Sequence, residues 1–95
     1  MMSVPVIEAA ISFSGGEMRQ VLRGDGSDGF GLLERSDEGW KICIPDGARA
    51  ECGGEPVDLQ ALRLEPSGER HLPYAFGRSA SIDMAEFRFE LRAAC

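Results

Sequence analysis

The stretch 85–93 reads Ala-Glu-Phe-Arg-Phe-Glu-Leu-Arg-Ala and alternates apolar with charged side chains throughout. Such a period of two places Phe87, Phe89 and Leu91 on one face of a strand and the charged side chains on the other. In a helix the two Glu and the two Arg would each lie four residues apart, which brings like charges together. The pattern therefore favours a half-buried strand, and the rest of the chain is expected to fold around it.

The residues just before this stretch leave two points open. Asp83, followed three residues later by Glu86, can also be written as the N-cap and N3 position of a helix. In addition, Ile82 and Met84 fall on the phase opposite to that of the two Phe residues. If the segment is a strand, this change of phase predicts a bulge or a bend near 84–85.

No turn and second strand follow 85–93 in the sequence. Its pairing is therefore expected with a distant part of the chain or with another molecule. For this reason Phe87, Phe89 and Leu91 are the candidate interface residues, for example in a homo-oligomer.

Two hairpins are predicted in the first half of the chain. The first joins 4–13 to 17–23 through Gly15-Gly16, because both glycines tolerate positive φ in a two-residue turn. That turn predicts that Phe13 pairs with Met18, Ile11 with Gln20, Ala9 with Leu22, and Glu8 with Arg23.

The second hairpin runs from 30–35 through the turn residues 36–39 into 40–44. Its register sets Leu33 against Ile42 and Glu34 against Lys41. Trp40, Ile42 and Ile44 then share one face.

The remaining segments are shorter. Residues 56–64 read either as a helix of one or two turns or as a continuous strand, and 71–76 read as a strand that Pro73 confines to an edge or a bend. Turn residues recur about every 8 to 12 positions, as in small antiparallel sandwiches and barrels. We therefore predict a single domain over 1–95: all-β, with at most one short helix, forming an antiparallel sandwich or a partly open barrel of successive hairpins.

Composition limits the partners. A net charge of -6 argues against nucleic acid and anionic membranes, which attract clustered Lys and Arg. No run approaches the ~20 apolar residues of a membrane span, and no signal peptide is recognisable at the start. Three Cys without C-x-x-C spacing indicate a reduced, cytoplasmic protein. The acidic charge is explained by solubility alone or by a surface that steers a basic protein partner.

Few residues suggest metal binding or catalysis. Asp25 and Asp28 in a Gly-rich loop are weak candidates for a cation such as Ca²⁺, but the full set of oxygen ligands is missing. His71 is the only histidine, so a nucleophilic Cys43 or Cys52 would need it as its base. A structural role for these residues is the simpler interpretation, since Cys43 lies within an apolar strand. No cofactor motif is recognisable.

By elimination, the sequence predicts a small acidic, non-enzymatic module that binds or regulates another protein. The alternative is a structural subunit that forms a homo-oligomer through its sheet edges.

Overall fold

The computed structural model describes residues 4–26 and 29–93. Within them the chain forms nine strands and one turn of 3-10 helix, and no helix there is long and apolar enough to cross a membrane. The strands are β1 Val6–Phe13, β2 Gly16–Arg23, β3 Leu33–Ser36, β4 Gly39–Pro45, β5 Arg49–Cys52, β6 Glu55–Pro56, β7 Glu69–Pro73, β8 Ala80–Asp83 and β9 Phe87–Ala93. The predicted all-β class is confirmed.

The strands form two antiparallel sheets that share one core. The larger sheet has the order β2-β1-β9-β8-β5-β6, and the smaller has the order β3-β4-β7. Strands β2 and β6 end the larger sheet, so the two sheets do not close into a barrel. The fully buried side chains come from both sheets: Ile7, Ile82, Phe89 and Leu91 from the larger, and Leu33, Ile42 and Ile44 from the smaller.

Strand β9 lies in the middle of the larger sheet, between β1 and β8. The predicted alternation is confirmed, because Phe89 and Leu91 are buried while Arg88 and Arg92 are exposed. Its pairing with β1 is long-range, one of the two predicted alternatives, whereas its pairing with the preceding strand β8 was not predicted. The period of two in β9 therefore corresponds to one buried face and one solvated face.

The predicted bend near 84–85 is present: the chain bends at 85–86 and there reverses its direction completely, so it separates two strands. The Met84 N–H donates to the Phe87 carbonyl at 2.9 Å and closes a hairpin between β8 and β9. Ile82 then lies opposite Phe89 on the core face. The reversal brings side chains of opposite phase in the sequence onto the same face, and residues 83–86 form no helix.

The first hairpin is present, but the predicted register is wrong by two residues. Its turn is Ser14-Gly15, so Ile11 pairs with Met18 and Ile7 with Leu22. A shift of two leaves every side chain on its own face, so the hydrophobic pattern alone does not separate the two registers. In the observed register the Arg19 side chain also reaches diagonally to Glu8, with which it forms an ion pair at 2.9 Å.

The second hairpin has the predicted register, with Leu33 opposite Ile42 and Glu34 opposite Lys41. On β4 both Ile42 and Ile44 are fully buried. Trp40, on the same face, packs against Phe76 with ring centroids 5.0 Å apart.

Residues 56–64 form neither a continuous strand nor an α-helix. Leu59–Ala61 make a single 3-10 turn, and the Asp58 carboxylate caps it by accepting from the Gln60 N–H at 3.1 Å. Strand β7 follows and forms an edge of the smaller sheet, as Pro73 predicted.

Candidate functional site

The outer edge of β2 is the longest free strand edge of the described chain. Strand β2 has eight residues and pairs only with β1. The other edge strands are less open, because β6 has two residues, β3 has four, and β7 contains Pro73. Proteins usually protect long edges against pairing with another chain. Here the eight-residue edge pairs with no other described strand, and its exposed charged side chains are Glu17, Arg19 and Arg23.

The direction of the hydrogen bonds on β2 follows from its hairpin. Phe13 and Gly16 flank the two-residue turn as a hydrogen-bonded pair, and such pairs alternate along an antiparallel ladder. The Gly24 N–H donates to the Pro5 carbonyl at 2.9 Å, which continues the same alternation. Even-numbered residues of β2 therefore bond to β1. The N–H and C=O groups of Glu17, Arg19 and Val21 face outward.

Large apolar side chains accompany this edge. Phe13, Met18 and Val21 are 44 %, 55 % and 61 % exposed. Phe13 lies opposite Phe87 of β9, and Met18 lies opposite Ile11. By this register Phe13, Met18 and Phe87 share the core-side face, at the end of the sheet where it reaches solvent. We name these three residues the apolar tip.

The structure separates the three predicted interface residues. Phe89 and Leu91 are 0 % and 1 % exposed and pack within the chain's own core. Both edges of β9 are occupied by β1 and β8. Phe87 is only half-buried, so of the three residues it alone offers substantial surface to another molecule.

A second group of functional side chains lies on the outer face of the smaller sheet. Cys43 and His71 are directly opposite on β4 and β7, and Glu69 precedes His71 by two residues on the same face. The Cys43 Sγ, a Glu69 carboxylate oxygen and a His71 ring nitrogen all lie within 4.8 Å of one another. We name these residues the Cys43–Glu69–His71 cluster. The sequence allowed either Cys43 or Cys52 as a partner of His71, and the structure places Cys43 beside it together with Glu69, which the sequence did not connect with them.

The Cys43 thiol is not activated as a nucleophile. It is buried, and its S–H donates to the Glu34 carboxylate at 3.2 Å. Burial and then this contact raise the pKa of Cys43 to about 12. Reactive cysteines have lowered pKa values because the thiolate is the nucleophile. Cys52 lies on β5 of the other sheet, away from His71.

No family model, curated protein or solved structure matches this chain. The function must therefore be argued from the two surfaces themselves.

His71 is placed between two carboxylates. Its Nε2 lies 3.5 Å from Glu69 Oε1, and its Nδ1 lies 3.9 Å from Glu65 Oε1. The ring borders a shallow groove of about 510 Å³, which Asp37, Glu38 and Lys41 also line. Three acidic turn residues, Asp37, Glu38 and Glu65, thus line the same groove as Lys41.

The loop suggested for a cation is only partly described. Asp28 lies outside the described residues. The Asp25 carboxylate accepts from the Arg23 guanidinium at 3.1 Å. Ca²⁺ binding by Asp25 and Asp28 stays a prediction.

Proposed function

We propose that this chain is a small, non-enzymatic module that acts by binding protein through the outer edge of β2. The observation that carries this proposal is the row of outward N–H and C=O groups at Glu17, Arg19 and Val21. An extended segment of another protein can add to such an edge as a further strand. The backbone then supplies affinity, and neighbouring side chains supply selectivity.

The apolar tip extends the binding surface beyond the backbone. Exposed apolar groups that adjoin a polar edge are typical of protein interaction sites. Phe13 and Met18 provide side chains of this kind next to the first residues of β2. Phe87 keeps its predicted interface role within this surface.

The partner that we propose is basic. The chain carries a net charge of -6, and the groove beside His71 collects acidic side chains. Complementary charge raises the association rate and disfavours acidic partners. A module of this kind regulates or inhibits its partner by occupying a strand-pairing surface that the partner uses elsewhere.

A non-catalytic role in a reducing, cytoplasmic setting belongs to the same proposal. The raised pKa of Cys43 disfavours the thiolate that a Cys–His mechanism requires. Cys43 and Cys52 are both free cysteines, as is usual in reducing compartments.

Assembly into a homo-oligomer through the same edge is the second candidate, and the strand's own sequence favours it. If two copies of β2 pair antiparallel about Gln20, Glu17 of each copy lies opposite Arg23 of the other. Arg19 of each copy then lies opposite Val21 of the other. Both residues have outward N–H and C=O groups, so they can form a hydrogen-bonded pair. Centring on Arg19 would instead set that residue against itself, and like charges in direct opposition are destabilising.

Proline at position 21 tests the binding edge. Val21→Pro removes one outward N–H, whereas Val21→Ala shortens the same side chain and keeps that N–H. Proline is tolerated on a strand edge whose N–H faces solvent, so both variants are expected to fold. Binding that survives Val21→Ala and is lost in Val21→Pro supports the proposal. Equal binding by both variants contradicts it.

Light scattering after size-exclusion chromatography separates the two candidates. A wild-type dimer that Val21→Pro converts to a monomer supports assembly. A wild-type monomer at every concentration excludes assembly and leaves a different protein as the occupant of the edge.

A further inference from the structure

We propose that Cys43, Glu69 and His71 form a binding site for a divalent metal ion of the zinc class. The three side chains offer one sulfur, one oxygen and one nitrogen ligand within 4.8 Å of one another. Thiolate and imidazole ligands select Zn²⁺ and related transition metals over Ca²⁺ and Mg²⁺, which prefer oxygen. The site is separate from the β2 edge and does not depend on the proposed protein binding.

The spacing of the ligand atoms fits a tetrahedral ion. Zinc bonds of ~2.0 to 2.3 Å place neighbouring ligand atoms about 3.3 to 3.6 Å apart. The His71 Nε2 and Glu69 Oε1 atoms are 3.5 Å apart. The Cys43 Sγ lies within 4.8 Å of both atoms and completes the set. The two nearest ligands thus have the required spacing already.

Two adjacent strands hold the ligands in place. Cys43 and His71 are cross-strand partners, and Glu69 is the next residue on the same face of β7. Glu34 lies beside them on β3, with its Oε2 3.2 Å from the Cys43 Sγ. This carboxylate contacts the Cys43 sulfur alone, so the set of mutually close ligand atoms consists of three protein ligands. A Zn²⁺ ion with four protein ligands has a structural role, whereas three ligands and a water leave an open position.

The surroundings of His71 match those of a metal-binding imidazole. Its Nδ1 faces Glu65 Oε1 at 3.9 Å, while its Nε2 faces the cluster. Histidines that bind metals commonly donate the other ring N–H to a carboxylate, which fixes the ring and its tautomer. Glu65 is the carboxylate nearest to Nδ1, and we expect it to accept the Nδ1–H once Nε2 binds the ion.

Charge also favours a cation at this site. Glu34 and Glu65 border the cluster, Glu69 belongs to it, and Lys41 is the basic residue of the adjoining groove. A divalent ion bound to the Cys43 sulfur displaces the thiol proton to solvent, so one S–H bond is exchanged for one metal–sulfur bond. Because ligands must lose their protons, affinity is expected to rise with pH.

Cobalt titration tests the site. The titration uses a variant in which Cys52→Ser and Cys95→Ser leave Cys43 as the only thiol. Co²⁺ is expected to give thiolate-to-metal absorption and visible bands of tetrahedral intensity, and Zn²⁺ is expected to abolish them and to raise the Tm. In unbuffered solution, binding releases about one proton per ion.

Variants assign the ligands. Cys43→Ser and His71→Gln are expected to abolish the cobalt bands, and Glu65→Gln to weaken Zn²⁺ binding about 10- to 100-fold through loss of ring positioning. Glu86→Gln removes an exposed carboxylate elsewhere and is the matched control, with unchanged binding. His71 and Glu65 are partly exposed, so their variants remain informative if Cys43→Ser does not fold.

The proposal is overturned if Co²⁺ gives no thiolate absorption and excess Zn²⁺ leaves the Tm unchanged. It is also overturned if His71→Gln and Glu65→Gln bind as the wild type does, because scattered surface carboxylates would then hold the ion. Val21→Pro is expected to leave metal binding unchanged, so failure of one proposal does not decide the other.

Discussion

Cys43 and His71 face each other across β4 and β7, yet the Cys43 thiol donates its hydrogen bond to Glu34. Strand pairing thus brings a thiol and an imidazole together, while burial and the Glu34 carboxylate raise the pKa of the thiol. A raised thiol pKa leaves little thiolate at neutral pH, which has consequences for the reactivity of the thiol.

Alkylation of Cys43 is expected to be slow. In the variant with Cys52→Ser and Cys95→Ser, iodoacetamide at neutral pH should react at least about tenfold more slowly than with a small model thiol, because the thiolate is scarce and buried. Glu34→Gln removes the nearby negative charge and should raise the rate. A wild-type rate at or above that of the model thiol would show that Cys43 is activated.

Stability should fall at alkaline pH through Cys43. The pKa of this thiol is raised from 9.0 to about 12 in the folded chain, so the folded state keeps a proton that the unfolded state loses. The resulting stabilisation is complete below pH 9 and is lost as the pH rises towards 12, at up to about 1.4 kcal/mol per pH unit.

Urea unfolding of the wild type and of Cys43→Ala across this range measures that contribution. Burial also raises the pKa of Tyr74, and taking the difference between the two proteins removes its effect. Parallel stability curves for the two proteins would contradict the raised pKa of Cys43.

Phe89 is expected to carry a large share of the core. It is fully buried at the centre of the larger sheet, so Phe89→Ala should lower the free energy of unfolding by about 3 to 5 kcal/mol. Phe89→Asp buries an unpaired charge and should prevent folding. Phe13→Ala, at an exposed position, is the matched control and should cost less than about 1 kcal/mol. Folded Phe89→Asp, detected by circular dichroism, would refute this assignment.

Gly31 is expected to tolerate no side chain. Its φ is +59°, and a Cβ there would lie 2.7 Å from the Phe89 ring. Gly54, with φ of +85° and open space around it, isolates the cost of the backbone conformation alone. Gly54→Ala should cost about 1 to 2 kcal/mol and Gly31→Ala clearly more, as measured by thermal unfolding. Equal losses would mean that the ring moves aside freely.

The elements predicted well from sequence are those whose information is local. Alternation over 85–93 was sufficient to identify β9 and its buried face. The turn residues lie only at 36–39 in this part of the chain, so the sequence predicted both the second hairpin and its register correctly. In the first hairpin, a turn at Ser14-Gly15 and one at Gly15-Gly16 leave every side chain on the same face. The hydrophobic pattern does not distinguish these two turns, and the predicted turn at Gly15-Gly16 was wrong.

The candidate sites depend on pairing that is distant in sequence. Glu69 joins Cys43 only because β7 pairs with β4, and no spacing in the chain encodes that contact. Similarly, β2 is an open edge because β9 occupies the other side of β1. A strand pattern identifies faces, whereas the order of strands within a sheet is decided by tertiary packing.

The central claim, that the chain binds protein through β2, is tested most directly by quantitative affinity capture. Tagged wild type, Val21→Ala and Val21→Pro are each incubated with lysate of source cells, and the retained proteins are measured by mass spectrometry. We expect at least one protein, either the untagged chain itself or a basic partner, to be retained by the wild type and Val21→Ala and lost with Val21→Pro. If the three baits retain the same proteins, or none at all, the outer edge of β2 is not the binding surface.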